Sequence, residues 1–164
     1  MKLVVKNGFL INHDQKYKCS IGYNGLSKNK TEGDGCTPVG IFKIKKILYR
    51  QDKIKNCKFL LDSEVIEERD GWCDDVNSDL YNQKIYFPYK LSAEHLYRND
   101  DLYDIICIID YNLNPIIKGK GSAIFLHVAK DDYSPTHGCV AIKKDELIEV
   151  AMNLNKSSSI QIDG

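Results

Sequence analysis

The dipeptide Asn7-Gly8, set between the short runs Leu3 to Lys6 and Phe9 to Asn12, constrains the fold most. A two-residue loop of this kind takes a type I′ turn, whose left-handed residues match the twist of paired strands, so the flanking runs form a β-hairpin. A third strand, Lys16 to Gly22, follows the polar turn Asn12-His13-Asp14-Gln15, and the N-terminus is therefore a meander. Residues Asn24 to Gly40, with Gly25, Gly33, Gly35, Asp34 and Pro38, predict a long irregular loop before a strand over Ile41 to Tyr49. Loops of that length in a compact domain are commonly functional. The run Ile105-Ile106-Cys107-Ile108-Ile109, within Asp104 to Ile109, predicts a central strand buried on both faces and ended by Asn112-Leu113-Asn114-Pro115. Helical spacing is clearest in Lys144 to Leu154, where Leu147, Ile148, Ala151 and Leu154 form an apolar stripe.

Charge and length narrow the classes of partner. The chain carries 23 basic and 23 acidic side chains among 164 residues, so no basic excess recommends nucleic acid or an anionic membrane. A chain of this length is read as one domain, residues 1–164, which buries about two-thirds of its unfolded surface. The apolar run after Met1-Lys2 is far too short for a signal segment, and no later run approaches the roughly 18 apolar residues of a membrane span. If Met1 is the natural start, the expected location is cytoplasmic; otherwise it is periplasmic. Six cysteines, at positions 19, 36, 57, 73, 107 and 139, are dispersed without paired spacing, so reduced thiols are expected. Cys107 reads as core, whereas Cys36 and Cys73 lie in polar turns and read as exposed. The acid-rich segment Asp62 to Asp79 reads as a solvated face or loop. Within it Trp72, the only tryptophan, either caps the core or walls a ligand cleft.

Chemistry concentrates in Pro135-Thr136-His137-Gly138-Cys139-Val140, preceded by Phe125-Leu126-His127. A thiol attacks as thiolate, and a free cysteine with a pKa of about 8.5 is largely protonated at neutral pH, so a neighbouring base matters. In a strand over Ala123 to Val128, Ile124 and Leu126 share one face, and Phe125 and His127 share the other. In a strand over 138–142, entered through the Thr-His-Gly bend, His137 and Cys139 point the same way and Gly138 leaves its backbone open to a ligand. If the two strands pair, His127 faces the thiol. Two other readings stand beside this one. Cys139 can be an ordinary buried strand cysteine. His127, His137 and Cys139, with Asp131 or Asp132, can also be metal ligands, although the short ligand spacing of structural zinc is missing.

These residues resemble the L,D-transpeptidase (YkuD-type) catalytic domain, whose signature is an upstream histidine followed by Ser/Thr-His-Gly-Cys, matched by His127 and Thr136-His137-Gly138-Cys139. The segment Glu32-Gly33-Asp34-Gly35-Cys36-Thr37-Pro38-Val39-Gly40-Ile41-Phe42 resembles the family's early Thr-Pro-x-Gly-x-Phe element. Counterparts of Gly71-Trp72-Cys73-Asp74-Asp75, Tyr81-Asn82 and Gly119-Lys120-Gly121-Ser122-Ala123-Ile124-Phe125 occur in a compact subgroup. The likeness covers nearly the whole chain. It departs after the cysteine, where Val140-Ala141-Ile142 replaces a segment in which many members place arginine or asparagine, so contacts made by that polar residue do not carry over.

The resemblance implies a mainly β fold, a β-sandwich/barrel with a few short helices and one C-terminal helix behind the nucleophile strand. It implies that Cys139 is the nucleophile and His127 the general base, oriented by a backbone carbonyl near Val128. His137 shapes the site, and N–H groups near Gly138 and Cys139 form the oxyanion hole. The implied substrate is a peptidoglycan stem peptide or muropeptide, cut between a diamino acid and a terminal D-alanine, with no cofactor and no metal. Trp72, Tyr81 and Asn82 are candidate substrate contacts from the family pattern, and Arg98, Lys118 and Lys120 from their charge. A cytoplasmic enzyme meets soluble muropeptides, so L,D-carboxypeptidase activity is expected ahead of cross-linking or D-amino-acid exchange by a transpeptidase. A reading from another class is an inactive cell-wall-binding module. A papain-like or NlpC/P60-type peptidase is disfavoured because its cysteine precedes its histidine in the chain. The oligomeric state stays open.

Overall fold

The hairpin forms as expected: in a computed structural model describing residues 1–163, Asn7 and Gly8 have φ of 51° and 77° and turn β1 (Lys2–Lys6) into β2 (Phe9–Asn12). The chain continues through β3 (Gln15–Ser20), β4 (Leu26–Ser27), β5 (Thr37–Pro38), β6 (Gly40–Tyr49) and β7 (Ser63–Val65). There follow β8 (Asp70–Cys73), β9 (Lys84–Tyr86), β10 (Ala93–His95), β11 (Ile105–Ile109), β12 (Phe125–Val128), β13 (Val140–Ile142), α1 (Lys144–Asn153) and β14 (Ser159–Ile162). Among the described residues α1 is the one helix, in place of a few short ones.

Eight strands close into a mixed barrel in the order β11-β12-β13-β3-β2-β1-β14-β6, with β6 returning to β11 and β7 added alongside β6. Closure removes most of the open hydrogen-bonding edge that a flat sheet would expose. β1 runs parallel to β14, and β12 parallel to β13. Parallel neighbours cannot be joined by a tight turn. The chain therefore leaves β12 at Val128 and returns to Val140 through a loop, and this loop carries Pro135 to Cys139.

β11 is buried on both faces, as its run of isoleucines predicts. Ile105, Cys107 and Ile109 join one core with Leu126, Val128, Val140 and Ile142, onto which α1 packs Leu147, Val150 and Ala151. Ile106 and Ile108 join a second core with Trp72, Tyr103, Phe125 and Cys139, on the side of the three-stranded sheet β10-β8-β9. Three expectations need correction. The strand expected over 138–142 begins only at Val140, because Gly138 has a φ of 143° and breaks the alternation. Cys73 is fully buried in β8 rather than exposed in a turn. The acid-rich segment includes β7 and β8, and its Asp70 is buried and paired with Lys84 at 2.9 Å.

Candidate active site

The strand period of two places His127. In β12, Leu126 and Val128 enter the first core while Phe125 and His127 face the other way, towards Tyr103 and Cys139. His127 is 6% exposed, its ring set edge-on to Tyr103 with centroids 5.3 Å apart. Its Nδ1 lies 2.8 Å from the Val128 carbonyl oxygen. A carbonyl can only accept, so Nδ1 carries the proton and Nε2 keeps a lone pair. Burial lowers the imidazole pKa to about 4, so the ring is neutral at physiological pH.

Cys139 is 8% exposed and stands where the loop enters β13. Its thiol donates to the Ala123 carbonyl at 3.1 Å, and the Phe125 N–H donates to the sulfur at 3.4 Å. Burial first, then the charge of Glu94, push the thiol up to about 12. The resting pair is thus a neutral thiol and a neutral imidazole, with the S–H directed at Ala123 and not at His127. Catalytic hydrogen bonds often tighten only when substrate is present, so this geometry is that of a site at rest.

The segment before Cys139 is tied to its neighbours and meets the long glycine-rich loop. Thr136 donates its hydroxyl to the Cys139 carbonyl at 2.6 Å, and the Tyr23 N–H donates to the Thr136 carbonyl at 2.9 Å. A Cβ on Gly138 would lie 2.9 Å from the Cys36 carbonyl oxygen, closer than real Cβ atoms stand, so the approach of the two loops needs glycine there. The Gly138 N–H donates to Thr136 Oγ1 at 3.1 Å. That N–H is engaged within the loop, which removes it from the expected oxyanion hole.

Cys139, His127, His137, Gly138 and Arg98 share the lining of one cleft of about 570 Å³, within the usual size of small-ligand sites. His137 is exposed at this cleft, its ring edge-on to Tyr23 with centroids 5.5 Å apart. Arg98 is held by Asp100 through bonds of 2.6 and 2.8 Å. The other five expected substrate contacts do not line the cleft. Trp72 is 5% exposed and packs edge-on against Phe125, so it caps the core. Tyr81 is buried, donating its hydroxyl to Glu32 and accepting from the Gly121 N–H at 3.0 Å. Asn82 is 1% exposed and bonds Trp72 and the backbone. Lys118 pairs with Asp79 at 3.3 Å on the surface, and Lys120 also lies outside the cleft.

Sequence reasoning missed Lys30, Asp74, Glu94 and Tyr103, all of which line the cleft. Lys30 is buried and pairs with Asp34 at 2.7 Å. Glu94 accepts from the Tyr103 hydroxyl at 2.7 Å, and burial raises its carboxyl pKa. Neither Glu94 nor Asp74 has a lysine or arginine ion-pair partner among the described residues, and Asp74 Oδ1 is buried with no hydrogen bond. Nothing local marks these side chains among the many charged ones, and three distant segments bring them together.

Among the described residues, no cluster of three or more His, Cys, Asp or Glu side chains is placed to hold a metal ion, and no helix is long and apolar enough to cross a membrane. A thiol and a neutral, carbonyl-oriented imidazole in one cleft of a mixed β-barrel define a site of the cysteine acyl-transfer class. The chain belongs to the YkuD family, the L,D-transpeptidase catalytic domain, whose family model matches residues 2–162. Membership makes it an enzyme of the L,D-transpeptidase type, acting on peptidoglycan. No curated protein sequence matches the chain.

Proposed function

We propose that the protein is an L,D-carboxypeptidase, hydrolysing the bond between a diamino acid and a terminal D-alanine in a stem peptide through a thioester on Cys139. The observation that carries the reading is His127: buried, neutral, locked through Nδ1 on Val128, and lining the same cleft as the thiol. Substrate entry turns the S–H from Ala123 towards His127, Nε2 takes the proton, and the sulfur attacks the carbonyl carbon. The Cys139 N–H stabilises the oxyanion, since the Gly138 N–H is bound to Thr136. When the C–N bond breaks, His127 returns its proton to the leaving amine. Water then attacks the thioester with His127 again as base, and the released sulfur regains a proton.

Glu94 and Asp74 support a diamino acid at the acyl side. Glu94 and Asp74 make no direct ion pair, and the cations of the cleft, Arg98 and Lys30, are bonded to Asp100 and Asp34, so a substrate ammonium would offset the repulsion between the two acidic groups. The reading includes a cytoplasmic site of action on soluble muropeptides, where water is the abundant acceptor. Mass spectrometry of a tetrapeptide muropeptide incubated with the protein, with and without a D-amino acid, tests it. Tripeptide and free D-alanine are expected as the main products. Exchange or cross-linked products in excess of hydrolysis would move the reading to a transpeptidase, and an unchanged substrate to a binding module. Cell fractionation that finds the protein outside the inner membrane would overturn the cytoplasmic placement.

A further inference from the structure

The sulfur of Cys139 is held between two backbone groups at the start of β12, and one of them sits in an unfavourable conformation. Ala123 has a φ of 52°, in the left-handed region that alanine avoids because its Cβ crowds the neighbouring carbonyl. Something must hold it there. The Ala123 N–H donates to Asn82 Oδ1 at 3.0 Å, and the same oxygen accepts from Trp72 Nε1 at 2.9 Å. On its other side Asn82 donates through Nδ2 to the Asn112 carbonyl at 2.7 Å. Asn112 in turn donates to the Gly121 carbonyl at 2.9 Å, bracing the same segment two residues before Ala123.

Asn82 is 1% exposed and does not reach the cleft, so contact with substrate cannot explain its elaborate bonding. We infer that Asn82 is a positioning residue: by clamping the Ala123 N–H it aims the Ala123 carbonyl at the Cys139 thiol and so fixes the nucleophile before substrate arrives. The inference rests on the proposed role of Cys139 and adds to it. The carbonyl bonds the protonated sulfur and repels the thiolate, so the clamp keeps the thiol protected at rest. The Phe125 N–H, donating from the other side, keeps the sulfur in place once it ionises.

The test compares wild type with Asn82→Gly, which accepts the residue's own φ of 56° while removing the clamp, and with Ala123→Gly, which keeps the clamp and removes the side chain that strains the backbone there. The readouts are folding by circular dichroism, the pH midpoint of Cys139 alkylation by iodoacetamide followed by peptide mass spectrometry, and kcat and KM on the tetrapeptide. For folded Asn82→Gly, the alkylation midpoint should fall by about one pH unit, because the bond favouring the neutral thiol is lost. Its kcat should fall about 10²-fold with KM changed by less than about threefold, the signature of a misplaced nucleophile. Ala123→Gly should keep the midpoint within about 0.3 unit of wild type, because the Asn82 bond still holds the N–H of residue 123. A folded Asn82→Gly with unchanged midpoint and kcat would overturn the inference. If Asn82→Gly does not fold, Ala123→Gly decides: glycine leaves this segment held by the Asn82 bond alone, so a wild-type alkylation midpoint supports the clamp and a midpoint lowered by about one unit overturns it. Alkylation needs no substrate, so failure here is distinguishable from failure of the hydrolase reading.

Discussion

Alanine at Cys139 is expected to abolish release of D-alanine while the protein stays folded. The substitution removes one sulfur atom from a position next to Val140, where a methyl group fits the strand entry without a new clash. What it leaves behind is small: the Phe125 N–H loses a long bond to sulfur, and the Ala123 carbonyl loses a weak thiol donor. Together with the lost contacts this should cost about 1–2 kcal/mol of stability, well within what a domain of this size tolerates. Activity, by contrast, has no substitute route, since among the described residues no other thiol lines the cleft. Circular dichroism and thermal melting check the fold, and mass spectrometry of the muropeptide checks turnover.

His127→Ala should lower kcat by about 10²–10⁴-fold, the usual contribution of a positioned general base. The loss arises twice over, because the imidazole both takes the thiol proton and returns it to the leaving amine. With a pKa of about 4, the buried imidazole is available as base across the physiological range. His137→Ala should cost less, since that ring is exposed at the cleft, edge-on to Tyr23. Steady-state kinetics on both variants, each shown to be folded, rank the two histidines. Equal losses would mean that His137 shares the proton transfers and that the ranking drawn from burial is wrong.

Local features were the ones legible in the sequence. The Asn7-Gly8 turn and the alternation in β12 each depend on neighbours a few residues away, so Phe125 and His127 could be placed on a common face before any coordinates. The two-faced burial of β11 was equally plain from its unbroken isoleucines. A barrel was expected only through the family resemblance, because closure depends on β6 pairing with both β14 and β11 across long stretches of chain. The family motif singled out the segment around Cys139, but strand alternation failed within it: Gly138 turns the backbone, leaving His137 exposed and Cys139 buried.

Polar residues were the harder problem. Trp72, Tyr81 and Asn82 carry groups that suit a substrate, yet the same groups satisfy buried backbone, and only the fold shows which use is made of them. Glu94 and Lys30 went unnoticed for the opposite reason. Each is one charged side chain among many, and its place beside the thiol comes from pairing of β10 with β8 in one case and from the glycine-rich loop in the other.

The most direct measurement is the intact-protein mass after rapid mixing with tetrapeptide substrate and acid quench, with the site of modification mapped by peptide sequencing. Wild-type protein should carry a transient tripeptidyl adduct on Cys139, formed as D-alanine is released, and Cys139→Ala should carry none. Release of D-alanine by the Cys139→Ala variant, or wild-type turnover with the acyl group found on another residue or on none, would contradict the thioester mechanism.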